Sequence, residues 1–149
     1  MTRDDQTGTA IVEFVFLAVL VMVPLTYLIV AVATVQRSSL AVTQAARDAG
    51  RAFATSDTAV EARKRVAAAV RLALADQGLP ADADVRFVAV GAGCDAAPIV
   101  PRLLPGAEFA VCVSRDVSLP GVPSVLAGRG IRTRGEYLVH VDDFRPAPP

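Results

Sequence analysis

The sequence predicts an α+β protein: a long N-terminal helix, a second helix and a small antiparallel sheet of about three strands. Three observations lead there. Hydrophobic residues make up 53% of the chain and mean hydropathy is +0.46, and this excess is concentrated in one place rather than spread. Residues 14–35 carry no charged side chain, and only Thr26, Tyr27 and Thr34 among them are polar. Beyond Pro80 the apolar period changes from helical spacing to alternation.

The apolar run comes first. As a helix its 22 residues extend about 33 Å, close to a hydrocarbon core of roughly 30 Å. A core helix of a soluble domain is rarely apolar on every side over this length. A secretory signal fits less well, because the run exceeds an h-region and no A-x-A-like site follows it. A membrane-spanning helix is therefore expected. Pro24 lies inside it and is expected to bend it and free one carbonyl, which membrane helices tolerate.

Helical spacing continues past the run. Val42, Ala46, Ala49 and Phe53 share one side, with Gln44, Arg47 and Arg51 opposite. The helix is expected to continue unbroken to about Phe53 as an amphipathic stalk. Ala45, Ala46 and Ala49 are small enough for a sheet or neighbour to approach closely. Residues 55–57 interrupt the pattern. A second helix follows, with Thr58 and Glu61 spaced as a capping box. Its stripe is Ala59, Ala62, Val66, Val70 and Ala73, and Gly78 with Pro80 stops it. The basic cluster Arg63, Lys64 and Arg65 falls outside that stripe and reads as a solvated face, with lipid headgroups as the other possible contact.

Alternation then takes over. Val85, Phe87 and Ala89 form one side of a first strand that ends at Gly91. Phe109, Val111 and Val113 form one side of a second, with Cys112 on the opposite face. Pro98, Pro101, Pro105 and Gly106 mark an irregular connection between them. A third strand is expected around residues 136–141, after a loop holding Pro120, Pro123, Gly128 and Gly130. The sheet is expected to pack against the stalk. Residues 146–149 lack apolar periodicity and read as a disordered tail.

Several functions are excluded. Fifteen basic residues balance 15 acidic ones, there is no Trp, and aromatics are 5% of the chain, so no basic platform for nucleic acid exists. One Lys against 14 Arg reflects coding bias more than a binding patch. No catalytic residue is assigned. His140 has no evident nucleophile partner, Ser114, Ser118 and Ser124 lack a nucleophile elbow, and no glycine-rich phosphate loop opens a helix. Asp142 and Asp143, read as strand neighbours, face opposite sides and cannot share a metal. Cys94 and Cys112 with a lone His cannot complete a four-ligand zinc site, so neither a metal nor any other cofactor is expected.

The most informative stretch is residues 7–14, TGTAIVEF. It places Gly8 and Thr9 just ahead of the apolar run and Glu13 at its edge. A charged side chain costs roughly 2.5–3.5 kcal/mol at the centre of a membrane helix and less near its end. Such a residue is a functional candidate, although it could simply favour the helix dipole at the N-terminus. A cut between Gly8 and Thr9 would set a new α-amino group one helical turn from the Glu13 carboxylate, or opposite it on a neighbouring helix. Each charge would neutralise the other in an apolar bundle.

This arrangement resembles the class III leader of type IV pilins, with Gly at the cut and Glu fifth in the mature chain. The Glu13–Phe14 pair is similar to that of the TadE-like pseudopilins of the tight-adherence (Tad/Flp) pilus. Residues 117–123, VSLPGVP, and 137–145, YLVHVDDFR, resemble the closing β segment of actinobacterial members. One departure is that the leader carries Asp4 and Asp5 beside Arg3, where pilin leaders are usually basic.

The resemblance implies a pilin-like fold divided into a leader at 1–8, a transmembrane helix at 9–35 and an extracytoplasmic stalk and α+β domain at 36–145. It implies a structural subunit, not an enzyme. Its partners would be other pilin-like subunits, a prepilin peptidase, a membrane assembly platform and the lipid bilayer. Glu13 would set helix register, and Phe14 would flank it. A general-secretion pseudopilin would look the same at Glu13. The alternative is a single-pass, uncleaved anchor displaying an extracytoplasmic binding domain.

Charge alone points the other way on orientation. Arg37, Arg47 and Arg51 follow the run while Arg3 precedes it, which favours a cytoplasmic C-terminal domain. The leader resemblance and the cysteines favour an exported one, with the arginines solvating a stalk. In an oxidising compartment Cys94, in the GAGCD segment at 91–95, and Cys112 are expected to pair, stabilising by about 3 kcal/mol. Otherwise they are two unpaired buried side chains.

Overall fold

In a computed structural model, residues 5–119, 121 and 130–144 are described, with side chains from residue 10 onward. Two helices precede three strands: α1 (Asp5–Ala54), α2 (Ala59–Asp76), β1 (Asp84–Val88), β2 (Glu108–Val117) and β3 (Ile131–His140). The sheet is antiparallel with β2 in the middle. Helix α1 packs on β2 and β3, and α2 packs on α1. The expected α+β architecture is present.

Helix α1 is one uninterrupted element of 50 residues, and it passes through Pro24 without ending. The hydroxyl of Thr34 donates to the Val30 carbonyl at 2.8 Å, which satisfies a polar group inside the apolar run. Above residue 36 the exposed side of α1 is held by the Gln44 amide donating to the Asp48 carboxylate at 2.9 Å. The opposite side is buried, with Ala41, Val42, Ala45, Ala46 and Ala49 fully inaccessible and Phe53 nearly so. The amphipathic stalk ends within a residue of its expected position.

Helix α2 starts as its spacing predicts. Thr58 is the N-cap, and its hydroxyl accepts from the Glu61 amide at 3.2 Å. The Glu61 carboxylate turns the other way, toward Arg65 at 3.7 Å, where exposure makes the pair worth little. Ala62, Val66, Val70 and Ala73 are buried against α1, and Leu74 joins them. Ala59 does not: it is exposed in the first turn, before the helix meets its neighbour. Arg63, Lys64 and Arg65 face solvent.

Side chains alternate between the two faces of the sheet, and the central strand β2 is buried on both. Phe109, Val111 and Val113 of β2 and Val85 and Phe87 of β1 face the helices. Ala110 and Cys112 face the other way, beside Val88. Phe53, Phe87 and Phe109 meet with ring centroids 5.1–5.8 Å apart, tilted or edge-on, and so bind α1 to the sheet.

Three boundaries differ from expectation. β1 ends at Val88, leaving Ala89 exposed beyond it. β3 begins at Ile131, five residues before the expected start, because its first half pairs residue for residue with β2. Asp142 and Asp143 follow β3 instead of lying within it, so strand alternation does not govern them. Residues 1–4, Pro120, Pro123, Gly128 and the tail lie outside the described residues; Gly130 is described, with a φ of 76°.

Candidate functional site

The residues singled out near the N-terminus all fall on α1. Gly8 and Thr9 are within its backbone, upstream of the described side chains. Glu13 is exposed, and among the described residues it has no hydrogen-bond or ion-pair partner. Phe14 is 72% exposed, and Val15, Phe16, Leu17, Leu20, Met22, Val23, Leu28 and Ile29 are each more than half exposed. Soluble proteins rarely expose a contiguous apolar surface of this extent. The chain carries one helix long and apolar enough to cross a membrane, with mean hydropathy 2.8 in its most apolar window and 6% of that window buried. This is compatible with a single-pass anchor.

The head domain grips the same helix farther up. Gly135 of β3 crosses α1 so closely that a Cβ there would overlap the carbonyl of Val42. About two turns above, a Cβ on Gly50 would lie 2.5 Å from the Tyr137 ring and 2.8 Å from Val139. Both glycines are therefore required by close approach. The hydroxyls of Ser38 and Thr133, both buried, are 2.8 Å apart and tie the lower end of this seam. Thr133 is also 3.3 Å from the Arg115 carbonyl, to which it can donate.

Arg115 is the one charged residue on the inner face of β2. It is 8% exposed. Its Nη2 donates to Asp82 at 2.8 Å, while Nε and Nη1 are buried without a partner. An unmade hydrogen bond at a buried polar group costs about 1–3 kcal/mol, and more for a charged one. Arg115 lines a cavity of about 280 Å³ together with Thr34, Ser38, Asp82, Asp116 and Ser118. On the neighbouring face of α1, Leu28, Ala31, Val32 and Val35 form an apolar groove with Leu119 and Ile131 from the base of the sheet. The lower end of the β2–β3 pair therefore overlaps the last turns of the apolar run.

Cys94 and Cys112 are joined in a disulfide, with Cα atoms 5.5 Å apart. It staples the loop after β1 onto the outer face of β2, and Asp95 beside it accepts from Arg134 of β3. The same cysteines and Glu136 form the one cluster of potential metal ligands among the described residues, but both sulfurs are committed to each other.

His140 has two acidic neighbours. Its Nδ1 is 3.2 Å from Glu108 and its Nε2 3.4 Å from Asp143. Hydrogen bonds to Glu108 first and Asp143 second raise its pKa above 6.5. Each ring nitrogen faces a carboxylate on the exposed rim, so the trio is an ion-pair cluster with no nucleophile.

Sequence reasoning missed the seam glycines and Arg115, and each had a signal. Gly50 stands inside a helical pattern and Gly135 inside a strand, where isolated glycine marks close backbone approach. Arg115 lies in phase with Val111 and Val113, which point inward.

The assembly defines a class: an α+β head on one long helix, whose apolar lower surface is left exposed among the described residues. No protein-family model, curated protein or solved structure matches the chain.

Proposed function

We propose that the chain is a minor pilin-like subunit, a TadE-like pseudopilin that takes part in assembly of a tight-adherence pilus. One observation carries the reading. Glu13 is the sole charged residue between residues 6 and 36, it projects from an apolar helical surface, and nothing described in its own chain neutralises it. A carboxylate so placed in hydrocarbon calls for a positive partner from elsewhere. Removal of residues 1–8 would supply one as the Thr9 amine of a neighbouring copy.

The uncovered side chains of residues 10–30 support the same reading, because they offer a lateral packing surface for like helices. In this mechanism, helices associate sideways and Glu13 selects register, since a shifted neighbour leaves its charge unpaired. The continuous stalk would carry the head outward from the packed helices. Prepilin peptidase and a membrane assembly platform are the partners this requires.

The decisive experiment follows the N-terminus and the fibre together. Glu13→Ala is expected to insert and be cut but to fail in assembly, measured as loss of surface pili by electron microscopy. Gly8→Leu is expected to leave an untrimmed N-terminus in mass spectra of the membrane fraction. Normal piliation in Glu13→Ala would rule the assembly role out. A wild-type chain that is never trimmed would leave the other reading, a permanently anchored binding domain.

A further inference from the structure

We propose that the lower end of the β2–β3 pair is a second membrane contact, with Leu119 and Ile131 resting among the acyl chains of the leaflet beside α1. The proposal rests on the membrane-anchor reading of α1, and not on the pilin reading.

Height comes first. The buried hydroxyls of Ser38 and Thr133, 2.8 Å apart, set α1 and β3 level with each other. Below that level Ile131 of β3 and Leu119, two residues past β2, meet Leu28, Ala31, Val32 and Val35 of α1. Gly121 lies lower still: a Cβ on it would be 3.5 Å from the Tyr27 ring. Tyr27 is eight residues below Val35, about 12 Å down an apolar run of about 33 Å. A bilayer that reaches Val35 must take in this end of the head, and one that stops at Tyr27 must still touch it.

Polarity comes second. Charge stops at one height on three elements. Arg37 is the first charged residue of α1 above Glu13. Asp116 of β2 and Arg132 of β3 are register partners beside the Thr133 level, with their charged groups 3.8 Å apart. Of the 15 residues between these two, Arg129 alone is charged, and an arginine stem can lie along apolar surroundings while its head reaches water. Leu119 is half-buried and Ile131 is 44% exposed. A limit that crosses three elements at one height marks a plane, as a bilayer surface is, whereas a protein partner would match one face.

Backbone comes third. Val117 and Ile131 are the last register partners of the sheet. Its ladder therefore runs down to the apolar end, and paired backbone is what lipid surroundings demand.

The chain has no Trp, so single tryptophans can report position in the full chain. It is reconstituted in phosphocholine vesicles whose acyl chains carry bromine, a contact quencher. Ile131→Trp tests the contact, Val23→Trp the anchor, and Val100→Trp is the control; all three positions are exposed on the protein. Val100 follows Ile99, whose amide donates to the Phe87 carbonyl, and the Phe87 ring meets Phe53, roughly 25 Å above Gln36 along α1. Ile131→Trp is expected to lose about half or more of its emission to bromine near the headgroup end of the chains. Val23→Trp should lose as much to bromine near the methyl end, and Val100→Trp almost none to either. Aqueous iodide should quench Val100→Trp and spare Ile131→Trp.

Tryptophan itself favours membrane interfaces, so equal loss to bromine in Ile131→Trp and Val100→Trp would overturn the contact. Iodide quenching as strong in Ile131→Trp as in Val100→Trp would overturn it too. So would shielding of Ile131→Trp from both quenchers, the result for a surface covered by a second copy or by the chain's own residues. The underlying reading fails separately: no loss in Val23→Trp overturns anchor and contact together, while loss there without loss in Ile131→Trp overturns the contact alone.

Discussion

The two halves of α1 have the same backbone and opposite surroundings. From residue 10 to residue 30 the side chains are mostly Phe, Leu, Val, Ile and Met, and almost all are exposed. Above residue 37 the inward side chains are mostly Ala, with Gly50 and Ser38, and are buried. Among the described residues, the lower half is bulky where little of its own chain packs on it. The upper half is small where a sheet and a second helix press against it. Side-chain size, more than hydrophobicity, separates the part of the helix that serves this fold from the part that faces something else.

The contrast can be broken most severely at Gly135. Gly135→Val would drive a branched side chain into the Val42 carbonyl, a backbone group that cannot rotate away. The head is expected to come apart from the stalk, read as loss of protease resistance of the full chain in detergent. Tyr137 lies against Gly50 in the same seam and the chain has no Trp. Its fluorescence, in a Tyr27→Phe background, reports the change directly.

A matched pair sharpens the comparison. Phe53→Ala removes the ring shared with Phe87 and Phe109 and is expected to destabilise the head by about 3–5 kcal/mol. Phe14→Ala removes the same side chain from the lower half and should leave head stability unchanged, because that ring is 72% exposed. Denaturant unfolding of both variants in detergent checks this. Equal losses would mean that the two halves are not independent.

The smallest effect is at His140. Its folded pKa is raised, so the stability it contributes is fully present below about 6.5. That contribution fades as pH climbs through the raised value. His140→Gln should therefore lower the melting temperature slightly at pH 6 and not at pH 9. Added salt should shrink the difference, because the pairs to Glu108 and Asp143 are exposed.

Much of this architecture was legible because periodicity reports burial. Val42, Ala46, Ala49 and Phe53 marked the packed side of α1, and the phase of Cys112 put it opposite Phe109, Val111 and Val113, where the disulfide forms. The start of β3 was hidden for a physical reason. Its inward residues there are Thr133 and Gly135 and its outward ones Arg132 and Arg134, so no apolar alternation announces a strand. What holds it is pairing with β2 and a tight crossing of α1, both long-range. The cavity at Arg115 was invisible for the same reason, since Ser38 comes from α1, Arg115 from β2 and Asp82 from the loop before β1. Glu13, by contrast, was conspicuous in sequence, since its oddity is local.

Helix α1 has no break between the apolar run and the head, and at 1.5 Å per residue its 50 residues make a rod of about 75 Å. A loose tether would absorb a pull by lengthening. A continuous rod transmits it undiminished to the crossing with β3, where Gly135, Ser38 and Thr133 would feel tension first. Traction along α1 would therefore be borne where the head meets it, at a seam that includes a glycine and two hydroxyls.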